Sequence, residues 1–377
     1  MYNLGVIGLG DRISGVLGNL EKTGRCRLSC VADPRMEEVK KEQILKGRDI
    51  SDVRFYASAE EMLNAEKPDG ILVGTRCSLH TKYAEMVLKK GFPLYLEKPV
   101  CTTRDDLAKL ETLLRDYPEE CKRVTVSFPL RFTQQVLTVK DLIAQGKIGE
   151  IAHIQAWCNV PYAIGYYHKW YRDDKETGGL FLQKATHDVD YIMDILGEEP
   201  EIVCAMTSKK VFKGEHEAGL LCRNCPEKDT CIDFTGDHGT DYRKNDYCVF
   251  AVDTGNEDSG SAVIMFKNGV HAAYSQDFIS KKSAGKRGAR FIGHLGTIEF
   301  DWERNYITYH DHYGERHDID VTEKSSGHFG GDKMLTYDFL LALEGKETKC
   351  TLASGIRSAK LCLCLRESAQ KRQFIEF

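Results

Sequence analysis

Three groups of residues in this 377-residue chain have types and spacings that could do chemistry. The first is Glu97-Lys98-Pro99, directly behind a short apolar run at 94–96. After a strand, a lysine ammonium can polarise a hydroxyl or donate to a developing oxyanion, while the acid beside it orients the group or contacts a cofactor. An exposed loop lysine is the alternative reading of an isolated Lys-Pro pair. The second group is Gly8-Leu-Gly10-Asp-Arg-Ile-Ser-Gly15, behind the apolar run 4–7. Gly8 and Gly10 would let backbone amides at a helix start approach a pyrophosphate. The usual third glycine would fall at Ile13, and a bare glycine turn stays open as an alternative. Asp33 follows 20 residues after Ile13, at the end of a second apolar run, where a carboxylate can accept hydrogen bonds from an adenosine ribose. That acid would repel a ribose phosphate and so favours NAD over NADP, with Arg35 working in the opposite direction.

The third group is Cys222-Arg-Asn-Cys225 with Cys231 and Cys248, a C-x2-C-x5-C-x16-C arrangement. Four thiolates at such spacing could surround a structural Zn ion, and would leave no open position for a catalytic one. An iron–sulfur cluster uses four cysteines as well. Reduced thiols in a long loop are the third possibility. Separately, Tyr166-Tyr-His-Lys-Trp-Tyr-Arg172 mixes aromatic faces with hydrogen-bond donors, which suits a carbohydrate. Tyr167, His168, Trp170 and Arg172 are candidate contacts, with core packing of the aromatics as an equal alternative.

Six β-like runs, at 4–7, 28–32, 54–56, 70–73, 94–96 and 124–128, alternate with amphipathic stretches such as 35–46 and 81–90. Strand–helix repetition of this kind predicts a doubly wound parallel sheet, with ligands at the carboxyl ends of its strands. Beyond residue 150 the pattern changes to β-like runs at 151–160, 202–211, 261–266, 270–278 and 290–293 without regular intervening helices. This predicts an α+β domain with an antiparallel sheet, and helices at 180–196, 333–343 and 353–372. The expected division is 1–125 and 126–377, with a polar, cysteine-containing insertion at 213–248.

Composition limits the alternatives. Hydrophobic residues make up 42% and charged residues 29%, ordinary values for a folded globular chain. The formal net charge of -5 without a basic tract gives nucleic-acid binding no support. No apolar run approaches the ~20 residues that span a bilayer. No secretory signal pattern precedes residues 3–8, so a cytoplasmic location is expected. Fourteen cysteines then point to thiols or a metal before disulfides.

Taken together, Val6-Ile-Gly-Leu-Gly10, Asp33, Thr75-Arg-Cys-Ser-Leu-His80, Glu97-Lys-Pro99 and Gly178-Gly-Leu-Phe-Leu-Gln-Lys-Ala-Thr-His-Asp-Val-Asp190 resemble the Gfo/Idh/MocA oxidoreductases. The resemblance covers nearly the whole chain. It implies an α/β fold with an N-terminal Rossmann doubly wound parallel sheet, a C-terminal domain with an open, mostly antiparallel sheet, and a homo-oligomer, dimer or tetramer. It implies hydride transfer between NAD, or less favourably NADP, and a hydroxyl or ketone of a sugar, glycoside or polyol. Cofactor contacts would fall at Gly8, Gly10, Asp11, Arg12, Ile13, Asp33, Thr75, Arg76, His80, Glu97 and Lys98. Lys98 would stand at the reacting hydroxyl and His187 would exchange its proton. Substrate contacts would include Arg131, His168, Trp170, Arg172, Gln183, Lys184, His187 and His328. The family motif commonly has an acid four residues before the histidine. Here Gln183 stands in that place; it cannot exchange a proton, but it can orient the ring or a substrate hydroxyl. Two other readings remain open: an NAD-retaining glycoside-cleaving enzyme working by transient oxidation and elimination, and a cofactor-binding sensor without turnover.

Overall fold

The computed structural model describes residues 1–161, 164–235, 246–321 and 327–377. The chain forms two compact units: Met1–Thr133 with Glu323–Lys360, and Gln134–Thr322 with Leu361–Phe377. A single boundary near residue 125 cannot express this division, because a late segment returns to the first unit.

In the first unit, strands β1 (Tyr2–Ile7), β2 (Cys26–Ala32), β3 (Arg54–Tyr56), β4 (Gly70–Val73), β5 (Leu94–Leu96) and β6 (Val124–Val126) alternate with helices. The helices are α1 (Asp11–Lys22), α2 (Met36–Leu45), α3 (Ala59–Ala65), α4 (His80–Lys89), α5 (Arg104–Asp116) and the short α6 (Pro118–Cys121). The strands pair in parallel in the order β3-β2-β1-β4-β5-β6, reversing direction of growth between β1 and β4. Side chains of β4, β5 and β6 are buried throughout, as a sheet covered on both faces requires. Local chemistry fixes several helix starts. Ser58 Oγ accepts the Glu61 amide at α3, and Thr103 Oγ1 accepts the Asp106 amide at α5.

The second unit carries α7 (Gln134–Ala144), β7 (Ile151–Asn159), α8 (Ile164–His168), α9 (Asp174–Thr177), α10 (Thr186–Leu196) and β8 (Pro200–Ser208). It continues with β9 (Ser259–Phe266), β10 (His271–Asp277), β11 (Lys286–Gly293), β12 (Gly296–Asp301), β13 (Tyr306–Asp311) and β14 (Arg316–Ile319). Helix α11 (Gly331–Leu343) then belongs to the first unit, α12 (Leu352–Lys371) spans the boundary at Lys360, and β15 (Ile375–Glu376) closes the chain. The nine strands form one sheet in the order β14-β13-β12-β11-β7-β10-β9-β8-β15. Its pairings among the described residues are antiparallel except β7 with β10. One face packs on α10: Val203, Ala205, Ile264, Ala272, Tyr274, Ala289 and Phe291 are buried, while alternate residues such as Met206 and Val263 are exposed.

The insertion lies between β8 and β9 and has little regular structure: a turn at Cys222–Asn224 and bridges pairing His216 with Ala251 and Leu221 with Tyr247. Residues 236–245 of it lie outside the described residues.

Candidate active site

The glycine loop joins β1 to α1. Gly8 has φ +79°, and a Cβ there would stand 2.7 Å from Thr75 Cγ2, so only glycine fits. Gly10 caps α1 in an extended conformation, and a Cβ on it would meet nothing within 4 Å. That open space beside the first-turn amides is what a pyrophosphate needs. Ile13 replaces the expected third glycine, and the close approach is made from the other side: a Cβ on Gly74, at the end of β4, would lie 2.7 Å from Ile13 Cβ. Helix α1 therefore packs closely on the sheet although it carries the bulky residue itself.

Asp33, 3% exposed, accepts the Leu9 amide at 3.2 Å and the Arg35 amide at 2.9 Å, with Arg35 Nε 3.4 Å away. It is fixed against the glycine loop at the end of β2, where an adenosine ribose would be met. Asp11 is exposed and pairs with Lys46 at 2.8 Å.

Glu97 and Lys98 follow β5, and the Lys98–Pro99 peptide is cis. Glu97 is held by Arg12 Nε at 3.0 Å and by the Ser127 hydroxyl at 3.0 Å, and Ser127 accepts the Tyr95 hydroxyl at 3.0 Å. Arg12 also binds both oxygens of Asp332 through Nη1 at 2.9 Å and Nη2 at 2.8 Å. A planar guanidinium gripping one carboxylate with two bonds while reaching a second is a rigid fastening. His328 Nδ1 lies 3.0 Å from Asp332 Oδ2. Burial pushes the Asp332 carboxyl up, but the hydrogen bonds and charges of His328 and Arg12 outweigh it and hold the group well below the usual carboxylate range. The expected cofactor contact Arg12 and the expected substrate contact His328 thus meet on one carboxylate. Asp332, Ser127 and Tyr95 escaped the sequence reading. The 320-residue separation of Arg12 and Asp332 leaves no local signal.

Lys98, next in the chain after Glu97, is half-buried. Thr75 and Arg76 form the turn after β4, and His80 ties that turn to the Lys98 loop. His80 Nδ1 is 2.7 Å from the Pro99 carbonyl oxygen and Nε2 3.3 Å from that of Thr75. Burial pushes this imidazole below its ordinary pKa, against the pull of the two carbonyl oxygens that face its nitrogens. Arg131, 8% exposed, donates to the Lys349 carbonyl at 3.3 Å within the same unit.

In the second unit, Gln183 and Lys184 lie in a π-helical turn, Phe181–Ala185, which runs directly into α10 with His187 in its first turn. The expected continuous helix over 180–196 therefore carries a wider turn at the residues of interest, a departure frequent at functional sites. Gln183, Lys184 and His187 are 5%, 3% and 3% exposed. The turn is capped from the insertion: Glu257 Oε1 accepts the amides of Leu180 at 2.9 Å and Phe181 at 3.0 Å. Asp188 faces the sheet, receiving Arg287 Nε at 2.9 Å and the Tyr274 hydroxyl at 3.1 Å. It does not stand in for the missing acid beside His187.

The segment 166–172 is committed to the insertion. Tyr167 stacks on Phe212 at 4.1 Å and donates to the Glu257 carbonyl at 2.7 Å. His168 Nδ1 donates to the Tyr247 carbonyl at 2.7 Å. Arg172 is 4% exposed and binds Asp253 and Thr254. Trp170, partly exposed, stacks on Tyr171 at 3.8 Å. The four insertion cysteines line one cavity of about 250 Å³.

Two family profiles match the chain: the oxidoreductase family's NAD-binding Rossmann fold over residues 2–128 and its C-terminal alpha/beta domain over residues 140–377. The chain belongs to the Gfo/Idh/MocA oxidoreductase family. Among its relatives, "Putative oxidoreductase YteT" of Bacillus subtilis is 26% identical over 324 residues, 75% of this chain and 74% of that one. The inositol 2-dehydrogenase of Rhizobium meliloti is 26% identical over 153 residues, 40% of this chain and 43% of that one. A crystal structure of an Agrobacterium radiobacter oxidoreductase in complex with NAD+, L-tartaric acid and magnesium superposes with a TM-score of 0.74, at 14% identity over 100% of this chain and 98% of that one. Membership accounts for the parallel sheet with its nucleotide loop and for the mostly antiparallel second sheet. No helix among the described residues is long and apolar enough to cross a membrane.

Proposed function

We propose that this oxidoreductase transfers hydride between NAD and a secondary hydroxyl, or the corresponding ketone, of a sugar, glycoside or polyol. The observation that carries the reading is Lys98: it follows β5 directly, next in the chain to Glu97, which Arg12 and Ser127 hold, in a unit whose open space at Gly10 and Asp33 carboxylate suit a dinucleotide. When bound, the nicotinamide accepts or returns the hydride. The chain's residues do the rest. Lys98 polarises the reacting oxygen and offsets the negative charge that grows on it as its proton leaves. His187 takes that proton, and returns it in the opposite direction. Gln183 orients a hydroxyl or the imidazole without exchanging protons, and Lys184 adds a second donor in the same turn. The buried Asp33 carboxylate supports NAD over NADP, since a ribose phosphate would be placed against a fixed negative charge. The inositol dehydrogenase among the relatives supports the polyol class.

Purified protein incubated with NAD and a panel of sugars, glycosides and inositols, followed by NADH absorbance and product analysis, tests the reading. Net NADH with ketone formation supports it. Sugar release without net NADH would replace it with cleavage through transient oxidation. Cofactor binding with no turnover on any member would leave a sensor.

A further inference from the structure

The cysteines of the insertion belong to none of the chemistry above. Cys222 and Cys248 are brought side by side by a reciprocal backbone pair: the Cys222 amide donates to the Asp246 carbonyl at 2.6 Å, and the Cys248 amide to the Leu220 carbonyl at 2.7 Å. The tight turn after Leu221 returns Cys225, whose amide donates to the Cys222 carbonyl at 3.1 Å. A second turn brings Cys231, its amide donating to the Glu227 carbonyl at 3.1 Å. All four side chains line the same cavity, and none forms a disulfide. The Cys222 sulfur lies 3.8 Å from His168 Nδ1 and 3.8 Å from the Tyr247 carbonyl oxygen, which ties this edge of the cavity to the segment 166–172.

An independent feature points to the same place. Arg172 is buried against this cluster, and its charge is felt by Cys222 and Cys248. Its Nη2 binds Asp253 and Thr254, but Nε and Nη1 find no hydrogen-bond acceptor among the described residues. A guanidinium buried with two idle nitrogens is costly unless more negative charge stands nearby. Four thiolates around a divalent ion leave two net negative charges, whereas four neutral thiols supply none.

We propose that Cys222, Cys225, Cys231 and Cys248 bind one structural zinc ion and that Arg172 is the buried counter-charge of the resulting tetrathiolate. On binding, each thiol gives its proton to solvent and its sulfur lone pair to the ion, with no change of oxidation state. No three of the sulfurs lie mutually within 4.8 Å in this arrangement, whereas ligands about 2.3 Å from one ion stand about 3.8 Å apart. Rotation of the side chains into the cavity they line is the movement required. The ion would fasten an insertion that has little regular structure of its own and yet holds two important segments. It grips 166–172 through Tyr247, Asp253 and Thr254, and it caps the turn bearing Gln183 through Glu257. The zinc is thus placed to order residues 166–172 and the turn bearing Gln183.

The test is the metal content and spectrum of the purified full-length chain. Elemental analysis should find about one zinc per chain, released by an organomercurial that caps thiols and resistant to dialysis against chelator. Protein refilled with Co(II) should show the intense visible bands of a tetrahedral site together with sulfur-to-cobalt charge transfer. Cys231→Ser, at the half-exposed position, should weaken that charge transfer, and Arg172→Gln should speed zinc loss to chelator at least about tenfold, near the 1.4 kcal/mol scale of one buried charge contact. The wild-type spectrum decides the matter even where a variant fails to fold. Less than about a tenth of an equivalent of any metal, with no tetrahedral Co(II) bands, would overturn the proposal. So would iron with acid-labile sulfide, or a Co(II) spectrum without sulfur charge transfer.

Discussion

Replacing Arg287 by Met should unfold the second unit at much lower temperature, and the magnitude follows from the pair it breaks. Arg287 and Asp188 have side chains 5% and 1% exposed, joined Nε to Oδ1 at 2.9 Å. Removing the guanidinium leaves the buried carboxylate facing the Tyr274 hydroxyl and the Cys158 thiol, neither of which carries a compensating charge. Breaking a buried pair from one side costs about 3–5 kcal/mol, chiefly because the surviving charge stays out of water. For a cooperative unit of this size each kcal/mol moves Tm by roughly 2–4 °C, so a fall of ~6–20 °C is expected in calorimetry at neutral pH. Asp188→Asn combined with Arg287→Met should be less damaging than the sum of the single changes, with a coupling of about 1–3 kcal/mol. A single-variant fall below ~2 °C, or a strictly additive double variant, would refute the reasoning about this pair.

Four further outcomes are expected. Asp33→Ser should lower kcat/KM with NAD by about 10- to 100-fold and raise the NADP-to-NAD preference, since a charged hydrogen-bond acceptor is worth about 1.5–3 kcal/mol; an unchanged preference would take Asp33 out of the ribose site. Gly74→Ala should reduce stability by about 1–3 kcal/mol through the clash with Ile13, and Ile13→Gly should relieve it in the double variant, as urea unfolding would read. Asp332 has a depressed carboxyl pKa, so the stability it contributes is present above the unfolded value near ~3.9 and fades as pH falls toward the folded value. Acid unfolding of Asp332→Asn should therefore differ from wild type by a constant amount above about pH 5, and the difference should begin to shrink below about pH 4 and vanish only as pH reaches the folded value, well below the usual carboxylate range. Finally, the exposed face of the nine-stranded sheet, with Met206 and Val263 outward, suits pairing of copies; light scattering should report a dimer or tetramer that Met206→Lys weakens.

The first unit was legible because its signals are local. Short apolar runs separated by amphipathic stretches named all six parallel strands, and the carboxyl ends of β1, β2 and β5 carry Gly8, Asp33 and Lys98 as that pattern requires. In the second unit β7 to β11 were expected within a few residues, while β12, β13 and β14 were not. In 296–319, charged and aromatic residues interrupt the apolar alternation, and β14 buries almost nothing. The return of 323–360 to the first unit rests on distant contacts: the Val126 amide donates to the Cys350 carbonyl at 2.7 Å, and Gly331 lies so close to Pro129 that a Cβ would sit 1.9 Å from its carbonyl oxygen. No periodicity reports such pairs. For the same reason Ile13 read as a flaw in the nucleotide loop, although Gly74 supplies the missing space from the neighbouring strand. Likewise, the aromatic and basic residues of 166–172 suited carbohydrate contact and core packing about equally, and in the structure Tyr167, His168 and Arg172 each bond to the insertion.

In the proposed reaction Lys98 and His187 serve the oxygen whose carbon gives up hydride. Single-turnover oxidation of a polyol substrate deuterated at the reacting carbon, in wild type, Lys98→Ala and His187→Ala, tests it most directly. Wild type should show a primary isotope effect on NADH formation. Each variant should lose the chemical step by at least ~100-fold, with NAD affinity in Lys98→Ala kept within severalfold. Normal single-turnover rates in either variant, with the isotope effect intact, would contradict it.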